Sequence, residues 1–170
     1  PEHRIKDVVV MDPGDRQYSI GFNLLENVDP DKRELVASTL MSIFMKIWEG
    51  VWSARMEYIM KNVILALLET PGSTLLGATK MLLNKEYRRM ITDNITDPVV
   101  KEYWTEEFEN QLKTNPRFVT EAIAPIQNKI GQFLAVPSIR NIIGQSRSTI
   151  NFREIMDNEK ILLVKISKGE

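Results

Sequence analysis

Apolar residues recur at helical spacing through Val51–Glu69, where Met56, Ile59, Met60, Val63, Ile64, Leu67 and Leu68 fall on one face. No charge interrupts Asn62 to Leu68, so this stretch is expected to be the central core helix, covered on more than one side. Its first turns differ: Trp52, Arg55 and Glu57 place a large ring and two charges there, and Glu57 and Lys61 are spaced for an i, i+4 pair. Upstream, Asp29-Pro30 starts a helix to about Glu49, with Leu35, Val36, Leu40, Ile43, Phe44 and Ile47 on its apolar face and Gly50 at its end. Downstream, Pro71-Gly72 stops the central helix, Ser73 or Thr74 caps a short helix through Leu83, and Lys85 to about Ile91 forms another. Asp97-Pro98 opens a helix lined by Val100, Tyr103, Trp104, Phe108 and Leu112. Asn115-Pro116 begins a segment to Val136 that presents Ile123, Ile126, Ile130, Phe133 and Leu134, with a kink or a fresh start expected at Pro125. Pro137-Ser138 opens a short helix that Gly144 closes.

At both ends the period changes. Asp7–Met11 is a β-branched apolar run ended by Asp12-Pro13-Gly14, and Ile161 to Ser167 is a second apolar run after a short helix and turn; both read as strands buried in a sheet. Tyr18–Leu25 reads as an irregular connector across the core. The expected fold class is therefore mainly α, a bundle-like set of helices flanked by one short β-strand at each end. Its segments are 1–26 (strand and connector), 27–149 (helical domain) and 150–170 (short helix, turn and return strand). Opening at Pro1 and stopping at Glu170 directly after a strand pattern, the chain is expected to be part of a longer protein.

The chain has 170 residues, 43% hydrophobic and 26% charged, which is enough for one substantial core. No apolar run approaches the roughly 20 residues needed to span a bilayer, so membrane contact by this segment is not expected. Cysteine is absent and His3 is the single histidine, which removes disulfides, thiol nucleophiles and the usual zinc sites. There is no GxxxxGK[ST] loop and no GxSxG; SKGE at Ser167–Glu170 has lysine before glycine. Asp12 and Asp15 beside Gly14 fit turn chemistry better than a metal site.

A formal net charge of −1 hides an uneven distribution. Between Glu121 and Glu154 there is no carboxylate, while Lys129, Arg140, Arg147 and Arg153 lie there among Gln127, Asn128, Gln132, Asn141 and Gln145. Around the Gly144 break, guanidinium groups, amides and hydroxyls make Lys129, Arg140, Gln145, Arg147 and Arg153 the candidates for phosphate contact. Glu102, Glu106, Glu107 and Glu109 make the preceding helix acidic, and Glu102, Glu106 and Glu107 are the candidates for protein docking.

The ordered set DVVVMDPGD, IGFNLLE, WSARMEYIMKNVILALLETPGSTLL, DPVVKEYW, IAPIQNKIGQFL and IRNIIGQSRSTINFREIMDNEKILLVKISKG resembles the middle portion of conjugative coupling ATPases of type IV secretion systems, within the HerA and FtsK group of DNA-pumping P-loop ATPases. The resemblance covers nearly the whole chain. It implies a helical domain inserted into a RecA-like motor, beginning after the Walker A loop and ending before the Walker B acids. ATP and magnesium would then belong to the parent motor, with no cofactor in this segment, and the parent would form hexamers around DNA. Trp52, Arg55 and Glu57 become candidates for the seam between insertion and motor. Where the family often has glycine and proline, this chain has Ser53 and Ala54.

The leading expectation is a substrate-recognition domain, without enzymatic activity of its own, that contacts DNA, a relaxase-type protein, or both. The alternative is a protein-docking module that never touches DNA. An unrelated helical enzyme ranks last, for want of a nucleophile or metal constellation.

Overall fold

A computed structural model describes residues 2–15 and 17–165. The chain folds around α2 (Ala54–Leu68), whose Met56, Ile59, Met60, Val63, Ile64, Ala66, Leu67 and Leu68 are all buried. Ser53, standing where a glycine or proline was noted in the resembled family, caps it: its hydroxyl accepts from the Met56 N–H at 3.3 Å. α1 (Arg33–Ile47), α3 (Gly77–Leu83), α4 (Lys85–Asn94), α5 (Pro98–Glu102) and α7 (Ala124–Ala135) all pack against α2. α6 (Glu109–Thr114) continues the helix begun by α5, and α8 (Pro137–Ile143) and α9 (Phe152–Asp157) complete the helical set.

The buried face of α1 keeps Leu40 and Phe44 of the expected set but not all of it. Ala37, Leu40, Met41 and Phe44 are buried, while Leu35, Ile43 and Ile47 are exposed. The buried stripe is rotated toward Ala37 and Met41. Lys61 likewise pairs with Glu34 of α1, not with Glu57.

Two segments wind more widely than an α-helix. Tyr103–Phe108, between α5 and α6, and Val119–Ile123, just before α7, are π-helical. The apolar spacing gives a physical reason. Val100, Trp104, Phe108 and Leu112 follow one another in steps of four, as do Phe118, Ala122, Ile126, Ile130 and Leu134. Each such step overshoots an α-helical turn by about 40°, so a sustained run drifts off the core unless the helix widens somewhere along it. In the second case the wide turn precedes Pro125, which has no N–H to continue the ladder, and the helix nevertheless runs without a break over residues 118–135, so the fresh start anticipated as one of two outcomes at Pro125 does not occur.

Charged groups hold the helices where apolar contacts alone would let them slide. Glu69, at the C-terminal end of α2, is buried; it lies 3.3 Å from the Arg33 guanidinium and accepts the Thr96 N–H (2.8 Å) and hydroxyl, together with the Asp97 N–H at 3.3 Å. Asp97 in turn caps α5 by accepting from Val99 N–H at 2.8 Å. Arg88 of α4, also buried, lies 2.8 Å from Glu109, donates to the Met81 carbonyl at 3.0 Å and sits 5.1 Å from the Phe108 ring centre. Two aromatic groups pack in and against the core: Phe44, Trp48, Trp52 and Phe133 in one, Tyr58, Tyr103, Trp104, Phe108 and Phe118 in the other, with Tyr58 at its exposed edge.

β1 (Val8–Met11) and β2 (Ile161–Val164) pair in parallel, Val8 opposite Ile161 through Met11 opposite Val164, with all of α1 to α9 between them in sequence. Asp7 falls in a 3-10 turn before β1, and Ile166 and Ser167, anticipated as strand, lie outside the described residues. The strands are not buried as expected: Val10 is 63% and Leu163 53% exposed. Parallel strands are normally covered on both faces, and among the described residues each strand has only the other as its neighbour in the sheet. At the end of the pair Lys165 meets Asp12 at 2.8 Å, and Asp12 also accepts from Gly14 N–H at 2.9 Å, so the Asp-Pro-Gly-Asp sequence does act as a turn. The Lys165 hydrogen bond and then the Gly14 N–H hold the Asp12 carboxyl below its usual range.

Replacing Ile64 or Leu67 by alanine is expected to destabilise the fold by about 2–5 kcal/mol, because neither site has a solvent-facing side into which the cavity could relax. Thermal unfolding checks this, and an unchanged melting temperature in both variants would remove α2 from its central place.

Candidate functional site

The two expected contact regions end up in different states. In the basic region, α8 and the loop after it are stitched to the connector that follows β1. Thr149 N–H donates to the Gly21 carbonyl at 2.9 Å, Gly21 N–H to the Thr149 hydroxyl at 2.9 Å, and Phe22 N–H to the Ile142 carbonyl at 2.9 Å. Gly21 is needed here, since a Cβ would lie 2.7 Å from Gln145 Oε1 and 2.8 Å from the Arg147 carbonyl. Buried Asn23 is the node. Its amide donates to the carbonyls of Ser73 (2.9 Å) and Ser146 (3.1 Å), its Oδ1 accepts from Leu25 N–H (3.0 Å), and its own N–H donates to the Ser148 hydroxyl (3.0 Å).

This stitching uses up one group read as a phosphate ligand, the Gln145 amide. The Gln145 amide donates to the carbonyls of Asn141 (2.8 Å) and Ser19 (3.3 Å), and Ser148 N–H donates to the Glu26 carboxylate at 2.6 Å. Arg153 lies 2.7 Å from Asp157 within α9. Lys129 is half-buried on α7. Arg140 and Arg147 are exposed and have no ion-pair partner among the described residues. They stand on a helix and a loop whose backbone is fixed from behind. Of the candidate cations, these two guanidinium groups are the exposed ones without a carboxylate partner among the described residues.

The acidic region forms a groove. Glu102, Glu106 and Glu107 line a groove of about 540 Å³ together with Tyr58, Val99, Tyr103 and Asn110. A smaller cleft of about 260 Å³ shares Tyr58, Tyr103 and Glu107 and reaches Arg55 and Phe118. The structure thus brings Arg55, a seam candidate, beside the docking candidates. Trp52 does not join them; it stacks on Phe44 and donates its indole N–H to the Phe44 carbonyl at 3.2 Å. Glu57 lies in the first turn of α2 and lines neither cleft.

Geometry at the groove follows from the wide turn. In an α-helix, residues five apart stand about 140° apart around the axis; the π-helical winding at Tyr103–Phe108 brings Glu102 and Glu107 to one wall. Tyr58 donates its hydroxyl to Glu107 Oε2 at 3.0 Å and meets the Tyr103 ring edge-to-face, centres 5.2 Å apart. Burial, with the Glu107 carboxylate and Tyr58 adding to it, pushes the Tyr103 hydroxyl far above the usual phenol range, so it stays protonated. The tyrosines are the residues that sequence reasoning missed. Tyr103 had been read only as core, and Tyr58 falls on the polar side of α2; the signal available was the run of four-residue steps that forces the helix to widen beside them.

Among the described residues no three acidic or histidine side chains gather as a metal site, and no helix is long and apolar enough to cross a membrane. Comparison with protein-family models gave no match, and comparisons with curated proteins and with solved structures gave none either.

Glu26 gives a pH test of the stitched loop. The Ser148 N–H, followed by its hydroxyl, and the nearby Arg147 charge hold the Glu26 carboxyl below its usual range. A carboxyl depressed in the folded state contributes fully above its unfolded value, about 4.3 for glutamate, and its contribution is lost as pH falls through the lower folded value. The Ser148 amide proton shift should therefore titrate with a midpoint below about 4.3, and Glu26→Gln should abolish that transition. A midpoint at or above the ordinary value would mean that this clamp does not form.

Proposed function

We propose that the chain is the helical recognition insertion of a DNA-translocating coupling ATPase, acting by contact and not by catalysis. The observation that carries this reading is the parallel, in-register pairing of β1 with β2 across the whole helical body. A two-stranded parallel sheet exposed on its faces is the geometry expected where an insertion leaves one strand of a larger parallel sheet and returns to its neighbour. ATP and magnesium then act in the parent motor, and the insertion meets the cargo. Arg140 and Arg147 are the groups offered to DNA phosphates, reading charge and not sequence.

In the full-length motor, binding of single- or double-stranded DNA should weaken steeply between about 50 and 200 mM salt. Arg140→Ala and Arg147→Ala should each weaken binding about equally for unrelated sequences and lower the slope of log affinity against log salt by about 1. If both variants bind DNA as the unaltered motor does, DNA contact by this domain is wrong. The acidic groove favours a second reading, in which the domain docks a relaxase-type protein. Charge reversal at Glu106 and Glu107 should then abolish capture of that protein by the full-length motor while leaving DNA binding intact.

A further inference from the structure

We infer that one phosphodiester of the DNA enters the cleft between the connector after β1 and the turn that ends α2, where Arg33 grips it together with Arg147. The inference rests on the DNA reading and adds to it a seat and a further cation.

Arg33 opens α1, and its one charged partner among the described residues is Glu69, 3.3 Å from Nη1. The other edge of the guanidinium, Nε with Nη2, is a fork that can hold a two-oxygen acceptor side-on. Here that edge is vacant. Among the described residues Nε is the one side-chain nitrogen or oxygen buried without a hydrogen-bond partner. The side chain as a whole nevertheless keeps 25% of its surface exposed, so the guanidinium stands at a wall and not in the core. Leaving a buried donor unmet is costly, and an acceptor that reaches this edge therefore gains more than one that meets a fully solvated arginine.

Two clefts meet at Arg33. One, of about 300 Å³, is shared with Glu34 and Asp97, whose carboxylates repel an anion. The other, of about 520 Å³, is shared with Arg147, Ser146, Glu26, Glu69 and Gly72. Arg147 is exposed and has no ion-pair partner among the described residues, so this concave surface joins an unpaired guanidinium to an orphaned donor. Both carboxylates in it are already engaged: Glu26 accepts the Ser148 N–H at 2.6 Å, and Glu69 accepts the N–H groups of Thr96 and Asp97 at 2.8 and 3.3 Å. Two guanidiniums set against two carboxylates leave no surplus charge for a dianion, which selects a singly charged oxyanion over a phosphate monoester. A phosphodiester is such an anion. A protein carboxylate carries the same charge, but Arg140, one helical turn before Gly144, adds another unpaired cation to the same segment, and successive cations suit a repeating polyanion better than a single acid.

The test follows the arginine Nε–Hε signals of this chain by NMR during titration with a short DNA oligonucleotide, with dimethyl phosphate and with acetate. DNA and dimethyl phosphate should both move the Arg33 signal downfield, with the Arg147 signal moving in parallel, and acetate at equal concentration should move it less. In the full-length motor Arg33→Lys, which keeps a cation against Glu69 and loses the fork, should weaken DNA binding about threefold to tenfold without changing the salt slope. Arg147→Ala should instead lower that slope by about 1. Melting of Arg33→Lys separates loss of binding from loss of fold, and the titration of the unaltered chain needs no variant at all. If DNA moves the Arg147 signal and leaves Arg33 unmoved, the DNA reading stands and the cleft assignment falls. The inference also falls if dimethyl phosphate moves Arg33 and DNA does not, since the cleft would then take only a free anion, or if acetate acts as strongly as dimethyl phosphate, since the occupant would then be a protein carboxylate.

Discussion

The chain crosses between the strand pair and the helical body twice, and the hydrogen bonds that tie those two crossings to each other are what the rest of the structure depends on. Asn23 concentrates them. Its amide, its carbonyl oxygen and its own N–H are all engaged, reaching the turn after α2 at Ser73 and the loop at Ser146 and Ser148. A buried side-chain amide with its bonds met fixes relative position far better than an apolar residue of the same size, which can slide. Phe22 against Phe152, edge-to-face with centres 5.1 Å apart, closes the same neck with apolar surface.

Beyond the neck, buried charge does for the helices what Asn23 does for the crossings. Glu69 joins the start of α1, the end of α2 and the cap of α5, and Arg88 joins α3, α4 and α6. Such pairs add little net stability compared with apolar replacements, but removing one partner leaves a charge stranded, so they penalise any other arrangement of the helices. The acidic groove inherits its rigidity from this frame: its floor is the aromatic group containing Phe108, over which Arg88 lies.

Much of this architecture was legible in the sequence, for definite reasons. The α2 face could be read because seven large apolar residues repeat at helical spacing without a charge among the last of them. The two strands could be read from their β-branched and aliphatic runs, and an irregularity beside Pro125 from the missing N–H. α1 misled in part, because Leu35, Ile43 and Ile47 outweigh Ala37 in hydrophobicity, whereas the buried stripe runs through Ala37, Leu40, Met41 and Phe44. Glu69 and Arg88 were illegible for another reason: a lone charge reads as surface until its partner, distant in sequence, is known. Among the candidate site residues, the acidic set was recognisable as a charge run. The groove itself was not, since it exists only where Tyr58 of α2 meets a turn wider than an α-helix.

The parallel strand pair has a kinetic consequence. Asp12 and Lys165, which meet at its end, are 153 residues apart in the chain. Closing so long a loop from a disordered state is entropically costly and slow, while helices form and dock on local contacts in far less time. The helical body is thus expected to assemble first and to draw the two crossings together at Asn23, and only then do β1 and β2 find each other. Seen this way, the neck is a folding template that turns a pairing of strands 153 residues apart into a short-range one.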